Sequence, residues 1–363
     1  MQYAILAKNA DIDNLPFRPT FAVGFYRAGE EEAFHAFCQA LKTRFEDLEI
    51  LGCSSESTIY GTSSSHEISQ DRSFGLLCLD MAKDACSITY EAEISAVDTN
   101  RPSRKAVVLF ASLYHKKLEA MIAKLQSDKA RPVFGAIAAS AGDDTAPSIY
   151  HDGTFYPQGL LAWEIDTSSY EVGGFSLYDF DPVGFELEIT EAEKSTIIEI
   201  ENKPALDMIE DMIGPLTQES IASYDHPFFL RRKNKKLAAA GIPLASIYAV
   251  DRKRRSITLH REVSVGDKLR LAVPFSREKQ EHTLNAFRRY RDKNGIALLF
   301  VCVAYKGHWD DMEPIYLTHI ARSLKQPFLG FHTFGEIGPL GKNAPAIVHN
   351  QTLTLLNITE KAQ

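Results

Sequence analysis

Three stretches of the chain share one order of elements. Each has a short apolar run, an amphipathic helix, a second apolar run that ends in a polar turn, and later a further strand. The first copy reads FAVGFYRAG, a helix over 30–45, EILGCSSES and SFGLLCLD. The second reads AVVLFASLY, a helix over 115–127, PVFGAIAASAGDD and GLLAWEI. The third reads ALLFVCVAY, a helix over 310–324, PFLGFHTFGEIGP and HNQTLTLLNI. Repetition constrains a fold strongly, because each copy has to bury the same faces in the same way. Phe34, Phe37, Cys38, Leu41 and Phe45 make one stripe at helical spacing, and Leu118, Met121, Ile122 and Leu125 make another. A helix held closely between two apolar runs suits a β-α-β crossover. The first strands of the second and third copies are apolar on both faces, which predicts cover on both sides. The expected fold is mixed α/β, with sheets built from repeated β-α-β-β units, helices outside, and two related halves.

Pro204 stands at the first turn of a short helix over Ala205–Ile213, whose apolar face is Met208, Ile209, Met212 and Ile213. Gly214-Pro215 ends it. A charged stretch, Arg231 to Lys236, follows, and the boundary between halves is expected near residue 220, giving modules 1–220 and 221–363. A second basic cluster, Arg252–Arg255, lies in DRKRRS between SIYAV and ITLHREV, as the solvated tip of a hairpin would. Neither cluster has aromatic residues interleaved for base stacking, and the whole chain carries a formal charge of −8. Nucleic acid is not an expected partner.

The remaining totals are those of a globular protein, with 45% hydrophobic and 24% charged residues. The opening MQYAILAKNADIDN has neither the cationic region nor the apolar core of a signal peptide. The longest apolar run, Ile296 to Tyr305, is about half of what a bilayer demands. The five cysteines are scattered and form no CxxC, as suits reduced thiols. These features point to the cytoplasm, without membrane insertion.

Each copy's second strand ends in small polar residues: Gly52-Cys53-Ser54-Ser55-Glu56, then Ala139-Ser140-Ala141-Gly142-Asp143, then Gly335-Glu336. Turn chemistry alone accounts for any one of them. Their recurrence suggests equivalent rims of clefts. The last strand opens with His349-Asn350-Gln351-Thr352, hydrogen-bonding groups set beside the Glu336 turn. The candidate ligand-binding residues are therefore Cys53, Ser54, Ser140, Asp143, Gly335, Glu336, His349 and Asn350. An enzyme reading is open beside this one. Cys53 or Ser140 could act with His349 as a thiol- or serine-dependent hydrolase or transferase. Against it, Ala138-x-Ser140-x-Gly142 resembles a nucleophile elbow but has no helix to follow it, and a small buried thiol is the commoner fate of a Cys such as Cys53. No HxxxH, HExxH, CxxC or acidic calcium loop is present, and no GxGxxG or GxxxxGK[ST]. No metal or cofactor is expected.

GFHTFGEIGP followed by HNQTLTLL closely resembles the C-terminal part of the FIST family, the F-box and intracellular signal transduction sensory domains. ILGCSSES, VFGAIAASAGDD, GTFYPQGLLAWEI and NKPALDMIEDMIG resemble its N-terminal module, and HPFFLRR, EVSVGDKLRL and ALLFVCVAY its C-terminal one. The resemblance implies a sensory protein that binds a small polar ligand, such as an amino acid, and acts through a separate signalling protein. There are departures. Ser57-Thr58-Ile59 stands where the family has Gly-Glu-Ile, Ala138-Ala139 replaces a glycine pair, and Tyr305 replaces an arginine that could meet an anionic ligand.

Overall fold

The computed structural model describes residues 1–61, 68–70, 73–93, 105–113, 116–126, 131–142, 144–222, 226–238, 241–274, 277–290, 295–305, 313–324, 326–341 and 344–362. In each unit two parallel strands are joined by a helix, and a later strand returns antiparallel to the first. The first unit is Phe21–Arg27, helix Glu31–Arg44, Glu49–Ser55 and Phe74–Asp80. The second is Lys105–Ala111, helix Lys116–Leu125, Val133–Ile137 and Leu160–Asp166. The third is Gly295–Cys302, helix Glu313–Leu324, Phe328–Thr333 and Leu353–Glu360. The registers agree as well. Gly52 lies opposite Gly24, Gly135 opposite Leu109 and Gly330 opposite Leu299. At each of these glycines an added Cβ would collide with the partner strand's carbonyl oxygen.

The units exchange hairpins in a ring. After Glu49–Ser55, the first unit sends Thr58–Gly61 and Ile68–Gln70 to the third unit's sheet, beside Phe328–Thr333. The third sends Gly335–Pro339 and Ala346–His349 to the second, beside Val133–Ile137. The second sends Ile149–His151 and Thr154–Tyr156 to the first, beside Glu49–Ser55. The opposite edges are filled by Gln2–Leu6, Cys86–Glu91 and Tyr170–Leu177. The result is three six-stranded mixed sheets of one strand order.

Their inner faces meet in one core. Phe25, Phe110 and Phe300 hold the same register position in the three units. Their ring centroids form a near-equilateral triangle, with sides of 5.9, 6.4 and 6.1 Å. Phe21, Val23 and Phe25 of FAVGFYR point inward, and Ala22 and Tyr26 pack under the first helix with Phe34, Cys38 and Leu41. All eight residues of Gly295–Cys302 are buried, as a strand covered on both faces requires.

A seven-stranded antiparallel sheet is inserted between Tyr170–Leu177 and the third unit. Its strands include Phe180–Glu193, Pro227–Arg231, Leu244–Asp251, Ser256–Leu259 and Lys268–Pro274, so it draws on both sides of residue 220. Helix Ala205–Ile213 buries Leu206 and Ile209 against it. The basic hairpin tip is neutralised locally, where Arg252, Arg254 and Arg255 pair with Glu210, Glu193 and Asp207. No helix among the described residues is long and apolar enough to cross a membrane.

Candidate functional site

A cavity of about 420 Å³ opens where the carboxyl ends of the second and third units' parallel strands face the inserted sheet. The second unit contributes Leu113 and Ile137, each at or just beyond a strand end. The third contributes Cys302, Val303 and Ala304 from the end of its first strand, and Phe334, Asn350 and Gln351 from its turns. Ser246, Tyr248 and His260 come from the inserted sheet. A crevice beyond the carboxyl ends of parallel strands is the usual ligand position in open α/β sheets. Gln351 adopts a left-handed backbone conformation (φ 57°), which turns the chain from Ala346–His349 toward Leu353–Glu360. Its Nε2 donates to Ser246 Oγ at 2.6 Å and so ties the third unit to the inserted sheet.

Two aromatic rings stand exposed at the cavity, Tyr248 at 62% and Phe334 at 41%. The Tyr248 ring lies 5.0 Å from that of His260. Burial, with the Arg261 guanidinium next to it, pulls the His260 imidazole down to about 4, so it is neutral at physiological pH. A recess of about 40 Å³ adjoins the cavity, sharing His260, Phe334 and Asn350 and adding Glu119, Arg261 and Val348. Arg261 donates there to the Val348 carbonyl at 2.8 Å.

Glu336 and His349 lie directly opposite each other on antiparallel strands, and their side chains therefore share a face. Both are buried. The Glu336 carboxyl receives hydrogen bonds from the Thr333 hydroxyl, from Thr352 Oγ1 at 2.7 Å and from the Thr352 amide at 3.3 Å. Burial outweighs these bonds, which act in the opposite sense, and pushes its pKa up to about 8. The Cys302 thiol links it to the cavity. Cys302 lines the cavity and also hydrogen-bonds Glu336. Burial, and then the neighbouring carboxyl, raise the thiol's own pKa, so it is a poor nucleophile. His349 Nε2 donates to the Gly338 carbonyl at 2.7 Å, while its buried Nδ1 has no hydrogen-bond partner among the described residues. Burial and the Arg261 charge lower its pKa to about 3. Gly335 packs tightly, since an added Cβ would sit 3.0 Å from Ile137 Cδ1.

The eight candidate residues thus divide. Gly335, Glu336, His349 and Asn350 come together, and of these Asn350 lines the cavity while Glu336 and His349 are buried close by. Cys53 sits in the first unit's sheet, between Phe25 and Ile149, fully buried in the central core with its thiol pKa raised by desolvation. Ser54 braces the first unit against the second, donating to the Ala139 carbonyl and accepting from the Ser148 amide, each at 2.9 Å. Ser140 lies in an irregular stretch after Val133–Ile137, and the next regular element is the strand Ile149–His151. Asp143 lies outside the described residues. Tyr305 is buried, its hydroxyl accepting from the Asp179 amide at 2.8 Å, so this position serves the core. Ser246, Tyr248 and His260 carry no local sequence signal; only the packing of the inserted sheet on the third unit brings them in.

The model of the FIST N domain matches residues 20–203, and that of the FIST C domain matches residues 205–339. No curated protein matches the chain. The two domain matches together span the first two strand units, the inserted sheet and the third unit as far as Pro339, and the chain belongs to the FIST family.

Proposed function

We propose that the chain is a cytoplasmic sensory protein. It binds a small metabolite in the cavity and passes the bound state to a separate signalling protein. The observation that carries this reading is the cavity's composition from three parts of the fold. Residues of the second unit, the third unit and the inserted sheet all line it, so an occupant would change how firmly these parts hold together. With the modules taken as 1–220 and 221–363, both contribute. Membership of a family of sensory domains supports the same reading. Nothing in the geometry favours the hydrolase. Cys53 is a protonated core thiol, and Ser140 is followed, among the described residues, by no helix that could stabilise an oxyanion.

A thermal-shift screen of metabolites tests the proposal. A ligand at a hundred times its Kd should stabilise the native state by about 2.7 kcal/mol, and Asn350→Ala should weaken that gain. Stabilisation by no compound in the screen would count against a sensor. Hydrolysis of an ester, amide or thioester that disappears in Cys53→Ala or Ser140→Ala would replace the sensor with the enzyme.

A further inference from the structure

The chemistry of the cavity narrows its ligand, on the reading that the cavity is the sensory site. Among the described residues, none that lines it carries a charge at neutral pH. Its polar groups are the Tyr248 and Ser246 hydroxyls, the Asn350 and Gln351 amides, the His260 imidazole and the Cys302 thiol. The imidazole is held neutral by burial and by Arg261. The carboxyl beneath, Glu336, has its pKa pushed up to about 8 by burial and is mostly protonated at neutral pH. A free amino acid would bring an ammonium and a carboxylate into this space and find neither counter-charge on its lining. Removing an ion from water costs several kcal/mol unless a partner of opposite charge replaces the hydration. The apolar lining and the exposed Tyr248 and Phe334 rings favour a flat body that can lie against them. The volume is at the lower end for small-molecule sites.

We propose that this pocket takes an uncharged, planar, largely apolar small molecule with hydrogen-bonding groups on one edge, and not a free amino acid. The cavity offers that edge both donors and acceptors, through the Asn350 amide and the Tyr248 hydroxyl. Two charged groups, Arg261 and Glu119, face the adjoining recess of about 40 Å³. They define the strongest competing outcome, an anion whose carboxylate reaches Arg261.

Two probe series matched in shape decide between these. Indole is compared with tryptamine, tryptophan and indole-3-acetate. Benzamide is compared with benzylamine, phenylalanine and benzoate. Binding to the full chain is measured by calorimetry and by thermal shift. The same set is run on Ala304→Trp, which fills the cavity, and on Tyr248→Ala, whose side chain is mostly exposed and whose loss should leave folding intact. Indole and benzamide should raise Tm, bind at least about tenfold more tightly than their charged counterparts, and lose binding in both variants. A charged member that binds more tightly than its neutral parent, and is lost in the variants, would refute the neutral-ligand inference while leaving the sensory cavity standing. If no probe binds, or if binding survives both variants, the cavity is not the site and both readings fall.

Discussion

Glu336→Gln separates two accounts of this carboxyl, as an ionised ligand anchor or as a buried neutral acid. The pKa of Glu336 is about 8 in the folded chain against an ordinary 4.5. A raised folded pKa means that the native state holds a proton which the unfolded chain has lost. Stability is therefore fully present below about pH 4.5 and falls as pH rises through about 8. His349 and His260 work in the opposite sense. Their folded values of about 3 and about 4 lie below the ordinary 6.5, so their contribution is lost as pH falls below about 6.5 and is complete above it. Together the three groups place a stability maximum near about pH 6.5. From there to pH 8 Glu336 alone would remove about 2 kcal/mol, the last deprotonation of the two histidines in the unfolded chain returns about 1 kcal/mol, and the net loss is about 1 kcal/mol. Gln keeps the shape and the hydrogen bonds of the protonated acid. Its amide can donate to Thr333 Oγ1, which in turn reaches the Val301 carbonyl at 3.4 Å, and its oxygen can accept from Thr352. Urea denaturation of the wild type and Glu336→Gln at pH 6.5 and 8 is the assay. The wild type should lose about 1 kcal/mol between the two, and the variant should lose nothing or gain slightly and equal or exceed the wild type at pH 8. A wild type that is flat over this range, or a variant with an unchanged slope, would show that Glu336 is ionised in the native state and refute the argument.

Two further predictions concern the frame. Gly135→Ala should cost about 3 kcal/mol or more, because the residue has a φ of +153° and its Cβ would strike the Leu109 carbonyl, whereas Gly173→Ala, with no atom within 4 Å, should stay within about 0.5 kcal/mol; urea midpoints would report both. His332 is buried with Nδ1 2.6 Å from Ser57 Oγ and Nε2 2.6 Å from Glu313 Oε1. His332→Ala leaves the Glu313 carboxyl buried without its imidazole and should cost about 3–5 kcal/mol. A double-mutant cycle with Glu313→Ala should show a coupling of about 1 kcal/mol or more, and additivity would mean that the contact contributes nothing.

The parts of the fold legible in the sequence are those fixed by local periodicity. The helical stripes at Phe34–Phe45 and Leu118–Leu125 and the apolar runs beside them specify the crossovers, because each helix has one face to bury and two strands within reach. The site was legible only in part. Gly335-Glu336 and His349-Asn350 read as neighbouring strand ends, and Glu336 and His349 pair directly. Their depth was not visible. Whether a carboxylate on a strand is at a rim or in a core depends on which sheet receives that strand. Gly335–Pro339 joins the second unit's sheet, whose inner face is the common core. Tyr248 and His260 reach the cavity through the inserted sheet, and no sequence spacing encodes that packing.

The ring of units also explains why the cavity opens where it does. Ser54, Ile137 and His332 hold one register position, each two residues beyond the glycine that faces the neighbouring strand's carbonyl. In the first unit this position is a hydroxyl that bonds the Ala139 carbonyl and the Ser148 amide, and Tyr26 adds a bond to Ser148 Oγ at 2.9 Å. In the third it is an imidazole gripped by Ser57 and Glu313. Both junctions are closed by side chains that fill the strand ends and bond across them. In the second unit the position is Ile137, which has no polar group with which to bridge the gap. The inserted sheet stands over that end and contributes Ser246, Tyr248 and His260 without filling the space. One apolar residue at a position that is polar in the other two units, together with one inserted sheet, turns a near-symmetric ring into a protein with a particular pocket. A His or Ser at 137 that bonded across the junction would be expected to shrink the cavity and lower ligand affinity, while leaving the strand order of all three sheets unchanged.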